Sequence, residues 1–131
     1  MKFMLLLWGD ESAWEGMSKE EAAADMARWD EYTKELVAAG AMVSGEGLKP
    51  SAASKIVRLD GGERTVTDGP FVETREQLGG FYVIECASLE EALDWAAKVP
   101  SAVRGPTEVR PVLDYEGTGY EDNQKPVEAQ S

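Results

Sequence analysis

At 131 residues the chain is long enough to bury roughly 67% of its unfolded surface, which suits one hydrophobic core and is too little for two domains. Its formal charge of -12 argues against nucleic acid and membrane-surface partners, since both require clustered Lys and Arg. The absence of histidine removes Ser-His and Cys-His pairs, imidazole bases and His-ligated metals, and a single cysteine, Cys86, cannot close an internal disulfide. The lone thiol fits a cytoplasmic protein, and neither a metal nor a cofactor is expected.

Taken in chain order, Phe3 to Trp8 is short and continuously apolar, the pattern of a central strand, and too short for a signal peptide or a membrane span. Ser18 with Glu21 forms a capping-box pattern opening a helix from about Lys19 to Ala39, with Ala22, Met26, Trp29, Thr33 and Leu36 on its apolar face. Met42 to Leu48 reads as a glycine-interrupted strand. Lys55 to Leu59 and Glu63 to Thr67 read as a hairpin across Asp60-Gly61-Gly62. Phe81 to Cys86 alternates like a strand. Ser88 with Glu91 opens a second helix that ends before Pro100. Thr107 to Leu113 makes the last strand, where Pro111 favours an edge position. No G-x-G-x-x-G follows any strand. The order predicts an α+β fold with two βαβ halves, a ferredoxin-like antiparallel sheet with a hairpin insertion and both helices on one face. The uncovered face then calls for a second copy, giving a homodimer with an isologous contact.

The segment Val66 to Glu85, VTDGPFVETREQLGGFYVIE, is the hardest to explain as generic packing. Gly69 before Pro70 restricts the backbone, so Asp68 to Phe71 should form one fixed turn. Together with the opening KFMLLLWGDE, the GEGLKPS at Gly45 to Ser51, the IVR at Ile56 to Arg58, the LEEALDWAAKVP at Leu89 to Pro100 and the EVRPV at Glu108 to Val112, this segment resembles the YCII-related domain family, in its DGPF-motif subgroup. The resemblance spans about residues 1 to 113 and implies a dimeric α+β barrel without an agreed biochemical activity. Enzymes to which broader YCII-type domains have been likened use a His/Asp pair, and this chain has no histidine. The resemblance also implies a link to extracytoplasmic-function sigma factors.

The expected domain is therefore 1–113, followed by an acidic tail, 114–131, carrying five acids and one lysine and reading either as disordered or as an arm docked through Tyr115 and Tyr120. Candidate ligand-binding residues are Arg58, Asp68, Phe71, Glu73, Tyr82, Glu85 and Arg110, the polar and aromatic side chains expected to rim the open sheet face. Glu85 and Arg110 are either a structural ion pair or part of a site where Arg forks onto an acidic ligand group. Asp68 is either a turn former or a general base. Trp14, in the acidic loop, is placed to close over a pocket or a dimer seam, while Trp8, Trp29 and Trp95 read as core. Three functions fit these features: binding of a small polar molecule, cofactor-free isomerase or lyase chemistry using carboxylate and Arg, and a regulatory module partnering a sigma factor.

Overall fold

The computed structural model describes residues 1–114, so the tail from residue 115 onward lies outside the described residues. The elements are β1 (Lys2–Gly9), α1 (Ser12–Glu15), α2 (Lys19–Ala38), β2 (Met42–Gly47), β3 (Lys55–Asp60), β4 (Glu63–Asp68), β5 (Gln77–Glu85), α3 (Leu89–Ala97) and β6 (Thr107–Pro111). Four strands form an antiparallel sheet in the order β2-β5-β1-β6, and β3-β4 is a separate two-stranded hairpin. The apolar β1 is central, as its continuous hydrophobic run predicts, and β6, which carries Pro111, is an edge. This is the ferredoxin-like order expected of two βαβ halves.

Both capping boxes are made at their first bond: Ser18 accepts from the Glu21 amide at 3.1 Å and Ser88 from the Glu91 amide at 3.2 Å. Gly61 and Gly62 have φ of 58° and 87°, which the two-residue turn between Asp60 and Glu63 requires. The Gly69-Pro70 bond is cis. β5 begins four residues earlier than the alternation from Phe81 suggests, and the last strand stops at Pro111 rather than Leu113.

On the helix-bearing face, Phe3, Leu5 and Leu7 of β1 and Tyr82 and Ile84 of β5 pack under Tyr32, Leu36, Ala92 and Ala96. The two long helices meet where the Tyr32 hydroxyl donates to the Trp95 carbonyl at 2.8 Å, with the two rings edge to face at 6.0 Å. The predicted apolar stripe of α2 is thereby corrected. Leu36 is buried, but Ala22 and Met26 are exposed and Tyr32 takes the core position. The stripe overshoots the end of the packed sheet, so only its C-terminal half finds a core beneath it. Trp29 and Trp95 pack against the core, whereas Trp8 lies on the opposite sheet face and donates its indole N–H to Glu108 at 3.1 Å. No helix among the described residues is long and apolar enough to cross a membrane.

Candidate functional site

The N-terminal half of α2 overhangs β2 and β5 where the sheet offers glycine instead of side chains. Alternation along β5 turns Gly80, Tyr82 and Ile84 toward the helices, and Gly80 pairs across β2 with Gly47 and across β1 with Leu7. One row over, Tyr82 pairs with Gly45, where a Cβ would sit 2.9 Å from the Tyr82 ring. At Gly47 a Cβ would meet nothing within 4 Å. At Gly80 a Cβ would lie 2.7 Å from the Glu46 carbonyl oxygen, so glycine there serves close strand approach, and it is above Gly47 that a cleft of about 530 Å³ stays open, within the size range of small-molecule sites.

The cleft is walled by aromatic and thioether groups. Met26, Trp29 and Thr33 come from α2, Met42 and Leu48 from the β2 edge, and Trp14 from α1 closes one end. Trp14 is seated by Gly79, where any Cβ would collide with the indole ring. Trp29 stacks on Tyr82 with centroids 6.2 Å apart and planes 18° from parallel. The polar groups facing the cleft are largely engaged with one another. The Thr33 and Tyr82 hydroxyls lie 2.8 Å apart, and Asp25 accepts from the Trp29 indole at 3.2 Å, from Arg104 at 3.1 Å and from Arg28 at 3.3 Å. Among the described residues no Lys or Arg lines the cleft. Such a surface fits a flat, mostly apolar molecule with few polar groups.

Of the residues singled out from the sequence, the structure brings Tyr82 and Trp14 to this cleft. Arg58 and Phe71 meet elsewhere, the guanidinium 5.5 Å from the ring centroid beside the hairpin. The Asp68 side chain is 79% exposed and pairs with Lys55 across the β3-β4 ladder, not with turn amides. Glu73 is exposed in the following loop. Glu85 and Arg110 do not pair with each other. Glu85, 48% exposed, pairs with the Met1 amine, and Arg110, 69% exposed, pairs with Glu108 at 2.6 Å. The Arg110 guanidinium, helped by the Trp8 indole, holds the Glu108 carboxyl below the usual carboxylate range.

The missed residues are Met26, Thr33, Gly45, Gly47, Gly79 and Gly80. Their signal was present as glycines inside two strands, a pattern that marks close approach or open space.

Fold and cleft together define a ferredoxin-like α+β domain with an aromatic-walled site at one sheet edge. The chain belongs to the YCII-related domain family, whose model matches residues 1–116. An uncharacterised protein of Rhizobium meliloti (strain 1021) is 42% identical over 117 residues, 88% of this chain and 94% of that one. Among solved structures the chain is similar to the 5-chloro-2-hydroxyhydroquinone dehydrochlorinase TftG of Burkholderia phenoliruptrix AC1100, in complex with 2,5-dihydroxybenzoquinone. The TM-score is 0.50 at 15% identity, covering 86% of this chain and 93% of that chain. That likeness establishes the shared dimeric α+β barrel type of fold.

Proposed function

We propose that this chain binds a small molecule with a flat apolar body in the cleft between α2 and the glycine floor of β2 and β5. The observation that carries this reading is the coincidence of stacked aromatic walls with a cleft of about 530 Å³ that a side chain at Gly47 would enter. Binding is favoured over turnover because the chain has no histidine and, of the two carboxylates on the cleft lining, Asp25 is already engaged by Trp29, Arg104 and Arg28 while Glu46 is exposed. The TftG complex holds a flat ring molecule, 2,5-dihydroxybenzoquinone, in a related fold, which is consistent with a ligand of that shape here.

The chain acts as a homodimer in this reading. Met4, Leu6, Phe81 and Val83 form a half-exposed apolar row on the sheet face away from the helices, the surface a second copy would cover. Sedimentation of the Leu6→Glu variant as a folded monomer, against a dimeric parent, is the expected result; a dimer unaffected by that charge refutes this use of the face.

The test of the cleft is native mass spectrometry on protein purified gently from its own host. A retained small mass, lost in Gly47→Leu and kept in Arg58→Met and Arg110→Met, supports the cleft. Retention in Gly47→Leu, or loss in either Arg variant, places the ligand on the residues of the hairpin or open face instead. A retained protein, such as a sigma factor, would favour the regulatory reading.

A further inference from the structure

The β3-β4 hairpin has one face that its own chain partly covers and one that it leaves bare. On the first, Ile56 is half-buried and the Arg58 guanidinium reaches the Phe71 ring, 5.5 Å from its centroid. On the second, the register sets Val57 opposite Val66 and Leu59 opposite Arg64, with the Lys55-Asp68 ion pair at the base. Val57, Leu59 and Val66 are 59%, 77% and 46% exposed. Adjoining apolar side chains held out to water, on a ribbon with no core of its own, mark a contact surface.

Charge, area and reach favour a second copy of this chain as the occupant. The hairpin carries three cations, Lys55, Arg58 and Arg64, and three acids, Asp60, Glu63 and Asp68, so it is neutral in a chain of net charge -12. Two copies that repel elsewhere can meet there, whereas a basic partner would be drawn to the acidic remainder. The row Met4, Leu6, Phe81 and Val83 on the open sheet face offers at most about 400 Å² per copy, taking about 200 Å² for a large side chain. A stable interface takes about 800 Å² from each partner. On the same scale Val57, Leu59 and Val66 add about 350 Å², most of the shortfall. Strands of six residues extend about 20 Å, farther than the roughly 14 Å width of four paired strands, so such an arm can reach across a partner.

We infer that the hairpin is a dimerisation arm, each copy laying its Val57, Leu59 and Val66 face against the other beyond the contact of the two sheets. This rests on the proposal that the open sheet face pairs two copies. Docking of this kind steadies the hairpin without adding to the sheet, so the hairpin remains the first unit to open.

The test is sedimentation equilibrium of Leu59→Glu beside the parent and Leu6→Glu, with far-ultraviolet circular dichroism confirming that each is folded. The contact occurs twice in an isologous dimer, so at about tenfold for each apolar side chain denied its burial, Leu59→Glu should raise the dimer dissociation constant about a hundredfold. A constant unmoved by Leu59→Glu overturns the arm and leaves its face to some other protein, while loss of the dimer in Leu6→Glu keeps the sheet contact standing. Dissociation by Leu59→Glu but not by Leu6→Glu supports the arm and removes the sheet face. A parent that sediments as a monomer overturns both. Should Leu59→Glu disturb the hairpin itself, deuterium exchange of the β3-β4 amides in the parent decides: it should be slower above the dimer dissociation constant than below it, and equal rates overturn the arm.

Discussion

Alanine at Gly45 and alanine at Gly47 should have opposite effects on stability, although the two positions lie two residues apart on one strand and face the same way. Replacing a strand glycine by alanine gains about 0.5–1 kcal/mol from the backbone, because the unfolded chain loses freedom. That gain is common to both sites and cancels in their comparison. At Gly45 the new Cβ would lie 2.9 Å from the Tyr82 ring and 3.0 Å from the Phe81 carbonyl oxygen. The carbonyl belongs to the paired ladder and the ring is locked between Trp29 and Tyr32, so neither can yield easily. Overpacking of this kind costs about 1–3 kcal/mol. At Gly47 the Cβ enters open space. The two variants should therefore differ by about 1–3 kcal/mol, Gly47→Ala being the more stable and no less stable than the parent. Urea unfolding followed by far-ultraviolet circular dichroism would separate their midpoints by roughly 1 M at an ordinary slope. Coincident midpoints, or a Gly47→Ala midpoint below the parent, would refute the assignment of these glycines to a tight row and an open row.

Burial pushes the Tyr32 phenol well above its ordinary value of 10.0, with Tyr82 and Glu35 adding to the effect. The unfolded chain then loses this proton first, so stability is intact below about pH 10 and falls as pH rises beyond it. Tyr32→Phe should be less stable at neutral pH by about 1 kcal/mol, through loss of the bond to the Trp95 carbonyl, and should lose less stability between pH 9 and 11; parallel pH profiles for the two proteins contradict this. The Cys86 thiol is likewise pushed up by burial. Iodoacetamide at pH 7 should alkylate it more slowly than a free thiol, and a rate equal to that of free cysteine would show the site to be open.

How far the sequence could be read differs between fold and site. Strand and helix periods, both capping serines, the Gly61-Gly62 turn and the edge-seeking Pro111 are local signals, and each element formed where those signals stood. The stripe on α2 misled because periodicity reports which residues share a face and not what lies opposite. Met26 and Thr33 share their face with Leu36 yet look onto a cleft. For the site, charge drew attention to Arg58, Asp68, Glu85 and Arg110, whereas the cavity depends on what β2 and β5 lack. Glycine opposite glycine across a ladder becomes visible only once the register of β2 on β5 is known.

The β3-β4 hairpin stands apart from the four-stranded sheet, and every residue in it except Ile56 is exposed. Its base is closed by the Gly69 amide, which donates to the Ser54 carbonyl at 2.9 Å, and the segment before it is tied back by Glu11, which accepts from the Ser51 amide and hydroxyl at 2.6 Å each. A two-stranded ribbon with no core beneath it has little to hold its ladder closed. Its amides therefore exchange with solvent deuterons through an opening that leaves the sheet untouched, while those of β1 and β5 wait for global unfolding. The chain carries two cooperative units of unequal depth, and a single unfolding free energy describes only the deeper one.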